Sequence, residues 1–141
     1  MIIKSPHIII ENINKADLEE LRNVRNENRM YLIDDRLIEK DEQKKWFFNI
    51  DKDITAYYKF YKDYKTIGFI YVTEIDNEKK SFKSGILTKK EYVGTSSPAL
   101  AAIILGYYYF SKLGFESMYT FVHRNNKLAI NFNLDSYTFI L

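Results

Sequence analysis

The chain contains no cysteine. That excludes a disulfide scaffold, a thiolate zinc site and a cysteine nucleophile. Its two histidines are His7 and His123, too few for a histidine-built metal site, and no metal ligand is assigned. Five glycines and two prolines in 141 residues are too few for a linker or a low-complexity chain. Charge of one sign is also lacking. Lys and Arg number 21 against 19 Asp and Glu, for a net charge of +2, which is no electrostatic footprint for gripping a nucleic-acid backbone. No apolar run approaches the roughly 20 residues a membrane helix needs. The longest, Ala99 to Phe110, is about three turns of helix, and Ile8-Ile9-Ile10 is too short for a signal-peptide core. The expectation is a cytoplasmic protein with neither a nucleic-acid nor a membrane partner.

What is present is apolar material. Hydrophobic residues make up 46% of the 141, enough for one domain with a sizeable core and too little for two ordinary ones. Residues 1–141 read as a single domain without internal repeats. Aromatic residues reach 16%. Codon drift explains that abundance together with the many Ile, Lys and Asn, whereas stacking on nucleic-acid bases would require a basic stripe that is absent.

Periodicity divides the chain. His7 to Glu11 reads as a short strand. Asn14 is a helix cap with Asp17 at the third helical position and Ile13 placed to staple onto Leu18. Leu18, Leu21 and Val24 follow at helical spacing, so a helix is expected over about 15–26. Residues 26–36 are polar and irregular. Asp41 to Ile50 forms a second helix, with Trp46, Phe47 and Ile50 on one face. Ile54–Tyr61, Thr66–Ile75 and Ser81–Thr88 are strands separated by short polar turns, which makes an antiparallel meander. Ser97-Pro98 then starts a helix that runs to Leu113 and stops at Gly114. Glu116 to Val122 is a strand, expected parallel to its predecessor because a helix separates the two. Asn126 to Asn133 is a short helix and Tyr137 to Leu141 a last apolar strand. The fold class is mixed α/β, a meander followed by β-α-β, with helices flanking the sheet.

The join between the third meander strand and the long helix is the most informative segment. A polar loop carrying Gly94 feeds a helix capped by Ser97, with Pro98 at the first helical position, and free backbone N–H groups at a helix N-terminus suit a pyrophosphate. Any capped helix after a glycine has this appearance, so the loop alone decides nothing. The order of elements around it adds information. The chain resembles the GNAT superfamily of acyl-CoA-dependent N-acetyltransferases over nearly its whole length. The family's loop reads Gln or Arg, two residues, Gly, any residue, Gly or Ala, and Glu91-Tyr92-Val93-Gly94-Thr95-Ser96 falls in register with it. Gly94 is kept, Ser96 replaces the small last residue, and Glu91 reverses the charge of the first. Phe110-Ser111-Lys112-Leu113-Gly114-Phe115 resembles the end of the family's long helix. Val122 to Ile130 resembles its Val-x-x-x-Asn-x-x-Ala-Ile stretch.

The resemblance implies a set of site residues. Gly94, Thr95, Ser96 and Ser97 would hold the pyrophosphate of acetyl-CoA. Asn126 would line the pantetheine cleft, a role compatible with capping the short helix. Backbone N–H groups around Ile86 and Leu87 would polarise the thioester carbonyl. Glu74 and His123 are the candidates for the base that takes the ammonium proton. Each also has an ordinary structural reading, Glu74 as a surface carboxylate beside a turn and His123 as a strand-end histidine. The Tyr that protonates the leaving thiolate in many members falls on Phe132 here, and a phenyl ring cannot donate a proton. Arg25-Asn26-Glu27-Asn28-Arg29 and the helix with Gln43 and Trp46-Phe47 resemble members that acetylate nucleotide-linked amino sugars in flagellin or surface-glycan biosynthesis. On that reading Arg25, Asn26, Arg29 and Trp46 contact the acceptor. The plainer alternatives are a solvated helix end for the arginines and a core aromatic for Trp46.

The function expected is therefore acetyl transfer from acetyl-CoA to a small amine, most simply a nucleotide-linked amino sugar. The alternatives are acetylation of a protein N-terminus or lysine, and a catalytically degenerate fold member that binds CoA or a partner protein. Family members close with two further strands after the short helix, and Tyr137 to Leu141 leaves room for one. The resemblance thus implies a short C-terminus and an open sheet edge, which invites a homodimer.

Overall fold

A computed structural model describes residues 1–137. The chain opens with a hairpin of β1 (Ile2–Lys4) and β2 (Ile9–Asn12). The second of these is the expected first strand shifted by about two residues; β1 was not foreseen. The Asn14 side chain then accepts from the Ala16 N–H while the Asp17 carboxylate accepts from the Asn14 N–H, both at 2.8 Å, the reciprocal cap the sequence announces. One 3₁₀ turn (Lys15–Asp17) leads into α1 (Leu18–Glu27), which buries Leu18, Leu21 and Val24. Another 3₁₀ turn (Arg29–Tyr31) precedes α2 (Lys40–Asn49). In α2 the most deeply buried residue is Gln43, and Trp46 and Phe47 are half-buried.

The meander is β3 (Ala56–Lys62), β4 (Lys65–Asp76) and β5 (Ser81–Thr88). Asp63 and Tyr64 turn β3 into β4 with left-handed φ of 50° and 60°, the two-residue turn whose twist matches the strands. The long helix α3 (Ser96–Tyr107) ends in a π-helical turn (Tyr108–Lys112), and Gly114 at φ 73° stops it. It starts at Ser96, two residues before the Pro98 start expected with Ser97 as the cap. Thr95 occupies the cap position, and Pro98 is the third helical residue. Pro98 is tolerated there because no N–H of a helix's first turn has an intrahelical acceptor. The strand β6 (Ser117–Tyr119) is shorter than expected, and α4 (Lys127–Tyr137) is longer. The expected strand at Tyr137–Leu141 lies outside the described residues, apart from Tyr137, which closes α4.

All six strands join one sheet in sequential order, antiparallel throughout except for the β5–β6 pair, which is parallel as expected. Alternation along the strands makes two cores. Ile10, Phe60, Val72 and Phe82 pack with Ala101, Leu105 and Tyr109 of the long helix on one face. On the other, Phe69 and Leu87 pack with Leu21 and Val24 of α1, flanked by Trp46, Tyr57 and Tyr71. The result is a mixed sheet with helices on both sides. Among the described residues no helix is long and apolar enough to cross a membrane.

Candidate active site

The parallel pair parts early. β5 and β6 are paired only from Ser81–Ser117 to Lys83–Tyr119, so β5 continues beyond its partner and a wedge opens. Backbone alternation fixes what faces the wedge. The Lys89 N–H donates to the Ile67 carbonyl at 3.0 Å, and the register runs unbroken from Gly68–Thr88 to Thr73–Lys83. Leu87 and Gly85 therefore direct their amides at β4, while the amide and carbonyl of Ile86 face the wedge. The Thr88 carbonyl, which has the same direction, accepts from Asn28 Nδ2 at 3.2 Å. Of the two amides expected to polarise a carbonyl, only that of Ile86 is available. The Leu87 amide belongs to the sheet and its side chain to the second core.

Across the wedge lies the start of α4. Asn126 Oδ1 accepts from the Ala129 N–H at 3.1 Å, and the Asn126 N–H donates to the His123 carbonyl at 2.8 Å. Asn126 thus caps the helix and, with Ile86, also lines a cavity of about 80 Å³ in the wedge. Both readings of this residue hold together.

The loop between β5 and α3 makes a second feature. Gly94 has φ +81°, and a Cβ placed on it would meet nothing within 4 Å. The Thr95 hydroxyl donates to the Tyr92 carbonyl at 2.7 Å rather than capping α3, and the Thr95 N–H uses the same acceptor. The N–H groups of Gly94, Ser96 and Ser97 have no acceptor among the described residues. Uncapped amides beside an open left-handed glycine fit a phosphate group. Glu91 is exposed on the 3₁₀ turn Lys90–Tyr92 that precedes them.

The principal cavity, about 590 Å³, lies between the second face of the sheet, α1, α2 and the segment 31–38. Trp46 stands edge-on to Tyr57 at 4.9 Å, and Tyr57 stacks on Tyr71 at 5.6 Å with an interplanar angle of 26°. These three rings form its apolar wall. Its ionic wall is cationic in excess. Arg22, Arg25, Arg36 and Lys83 face Asp34 and Glu42, and Arg36 pairs with both carboxylates, at 2.9 and 3.4 Å. The guanidinium of Arg36 beside Asp34 holds that carboxyl down to about 2. Arg22 has no ion pair or hydrogen bond among the described residues, and its Nε is buried.

The acceptor-contact residues named from sequence separate here. Trp46 lines the cavity. Arg25 also reaches its wall, but its guanidinium donates to the carbonyls of Asp34 and Arg36. Asn26 exchanges two hydrogen bonds with the backbone of Ile38, at 3.0 and 3.1 Å. Both clamp the 34–38 segment over the cavity, so neither offers its polar atoms freely to a ligand. Arg29 is exposed on its 3₁₀ turn and touches neither cavity.

The base candidates separate too. Glu74 sits at the β4 bulge with φ 51°. It accepts from the Tyr119 hydroxyl at 2.5 Å and pairs with Lys83 at 3.6 Å. That hydrogen bond, helped by Lys83, lowers its carboxyl below the usual range. It is exposed and lines neither cavity. A carboxylate so placed is a poor base for an ammonium group. His123 lines both cavities, and its Nδ1 accepts from the Asn125 N–H at 3.2 Å. In the neutral ring the proton then sits on Nε2, which can donate but cannot accept.

Sequence reasoning passed over Arg22, Arg36, Tyr57, Tyr71 and Gly85. Gly85 carried a readable signal, since a glycine inside a strand marks a close approach. A Cβ on it would lie 2.1 Å from the Tyr71 Oη. The others are set by register and loop path and left no local mark.

This architecture is the acyl-CoA N-acetyltransferase fold. Comparison with protein-family models and with curated protein sequences yields no match. Solved structures do match. Spermidine N-acetyltransferase from Vibrio cholerae, solved with CoA and spermine, superposes with a TM-score of 0.83 at 19% identity, over 94% of this chain and 80% of that one. A dodecameric structure of the same enzyme gives 0.78 at 17%, over 94% and 79%. A domain from Methanocaldococcus jannaschii gives 0.78 at 16%, over 91% and 85%. At these identities the likeness establishes the fold.

Proposed function

We propose that the protein is an acetyl-CoA-dependent N-acetyltransferase whose acceptor is a small amine that also carries an anionic group, most simply a nucleotide-linked amino sugar. The observation that carries the reading is the junction of two spaces. The wedge beside the free Ile86 amide and a cavity of about 590 Å³ share Tyr71, Leu87 and His123 as common walls, so a thioester in the first and an amine in the second are adjacent. Loop amides at Gly94, Ser96 and Ser97 suit the pyrophosphate, Asn126 borders the pantetheine path, and the Ile86 N–H polarises the carbonyl. The amine must arrive neutral. Its proton passes to water or to His123 Nδ1 once that nitrogen releases the Asn125 amide.

Charge separates this acceptor from a polyamine. A polycation requires free carboxylates, and both carboxylates of the cavity are paired, Glu42 with Arg36 and Asp34 with Arg36 and, at 3.9 Å, Arg25. The surplus cation is Arg22, which favours a phosphate or carboxylate. Trp46 gives the cavity an apolar flank for a ring. Phe132, which cannot act as an acid, and exposed Glu91 favour a second reading, a CoA binder without turnover.

The test has two stages. Acetyl-CoA should raise the melting temperature, and Gly94→Glu should abolish that rise by placing a carboxylate where backbone meets phosphate. Thiol release with nucleotide-linked amino sugars but not with spermidine supports the proposal. Turnover of spermidine or of lysine peptides alone overturns the acceptor class, and binding without turnover across all amines selects the second reading.

A further inference from the structure

Tyr71 stands where the two spaces meet. It lines both the wedge and the principal cavity, and it lies directly opposite Gly85 in the β4–β5 register. Its ring end occupies the volume a side chain at position 85 would fill, since a Cβ there would approach both Cζ and Oη to 2.1 Å. The hydroxyl therefore rests over Gly85, next in sequence to Ile86, whose amide faces the wedge. Stacking on Tyr57, itself buttressed by Trp46, fixes the ring plane. The Tyr71 hydroxyl has no hydrogen-bond partner among the described residues, and it is not sealed from the cavity. A half-buried phenol with an unused donor is costly unless something accepts from it.

We propose that the Tyr71 hydroxyl is a second catalytic donor, acting with the Ile86 N–H on the carbonyl oxygen of the bound thioester. This rests on the acetyl-CoA reading above. The amine lone pair attacks the carbonyl carbon, and the C=O pair moves to oxygen, where both donors hold it. The pair then returns, the C–S bond breaks, and the proton lost by nitrogen ends on the CoA sulfur through water. Tyr71 keeps its proton throughout, and burial favours this by pushing its phenol above the ordinary value. The sheet amide and the phenol approach the oxygen from different directions, one in the plane of the sheet and one above it, which is the arrangement a tetrahedral oxyanion uses.

The experiment reads the carbonyl band of ¹³C-labelled acetyl-CoA by infrared difference spectroscopy, which requires no acceptor. On the wild-type protein the bound thioester band should lie below that of free acetyl-CoA. Tyr71→Phe, which keeps the stacked ring, should return part of that shift while acetyl-CoA still raises the melting temperature. Gly85→Ala, which displaces the hydroxyl, should have the same effect. With an accepted amine, kcat should fall roughly 100-fold in Tyr71→Phe, with KM for acetyl-CoA within about twofold. An unchanged band and kcat in Tyr71→Phe overturn this role for Tyr71. Absence of any melting shift with acetyl-CoA in the wild type overturns the acetyl-CoA reading itself, and this inference with it.

Discussion

The two faces of the sheet are built differently. The α3 face is apolar, and its buried pair Tyr58 and Tyr109 is self-satisfied by a 2.7 Å hydrogen bond between the two hydroxyls. The α1 and α2 face has a smaller core, and beside it lie a cavity of about 590 Å³, three stacked or edge-on rings and a cluster of charges. On the first face the buried hydroxyls of Tyr58 and Tyr109 satisfy each other. The second leaves Arg22 and the Tyr71 hydroxyl without partners among the described residues. A single sheet thus separates stability from chemistry. Substitutions on the first face should unfold the protein, and those on the second should change ligand binding or rate.

The sharpest break of that contrast is Phe60→Ala. Phe60 is fully buried in the larger core, so urea denaturation should show a loss of about 3–5 kcal/mol. Trp46→Ala on the second face should cost clearly less, because the ring is only half-buried; an equal cost would erase the distinction. Next is Tyr58→Phe, which strands the buried Tyr109 hydroxyl. It should cost about 1–3 kcal/mol, whereas Tyr71→Phe should leave the urea midpoint almost unmoved.

Alkaline titration sharpens the contrast from the second face. Burial pushes the Tyr57 phenol up to about 12, against an ordinary value of 10.0. A phenol that holds its proton more tightly folded than unfolded contributes fully below pH 10, and that contribution is lost as pH rises through about 12. Stability should therefore fall across this window by on the order of 1.4 kcal/mol per pH unit, and Tyr57→Phe should flatten the slope. Smallest in stability is Arg25→Ala, expected to cost less than about 1 kcal/mol globally. Its effect is local. Amide exchange over residues 34–38 should accelerate, and KM for the acceptor should rise with KM for acetyl-CoA unchanged. Unaltered exchange there would remove the clamp.

Much of the frame was readable in the sequence because it is written locally. The Asn14–Asp17 cap, the meander with its short turns, the stop at Gly114 and the parallel return of β6 each follow from spacing over a few residues. The unforeseen hairpin strand β1 is three residues long and, among the described residues, pairs with β2 alone, so no strong alternation marked it. The loop at Gly94 was legible for the same local reason. Its helix starts two residues earlier than expected, with Thr95 rather than Ser97 at the cap position and no side-chain cap to mark it. The acceptor side was least legible. Arg25 and Asn26 resembled ligand contacts, yet their polar atoms bind backbone nine to twelve positions further on. No one-dimensional pattern distinguishes a donor that holds a loop from one that holds a ligand.

The sequence by itself determined the order of elements, the helix boundaries to within a few residues and the left-handed glycine before the long helix. These depend on periodicity and on backbone preferences of single residues. Only the tertiary structure decided that the Ile86 amide faces the wedge and the Leu87 amide does not, that Glu74 is occupied by Tyr119 and Lys83, and that the Tyr71 hydroxyl lies over Gly85. Those facts depend on cross-strand register, and register is fixed by how two faces of a sheet pack at once.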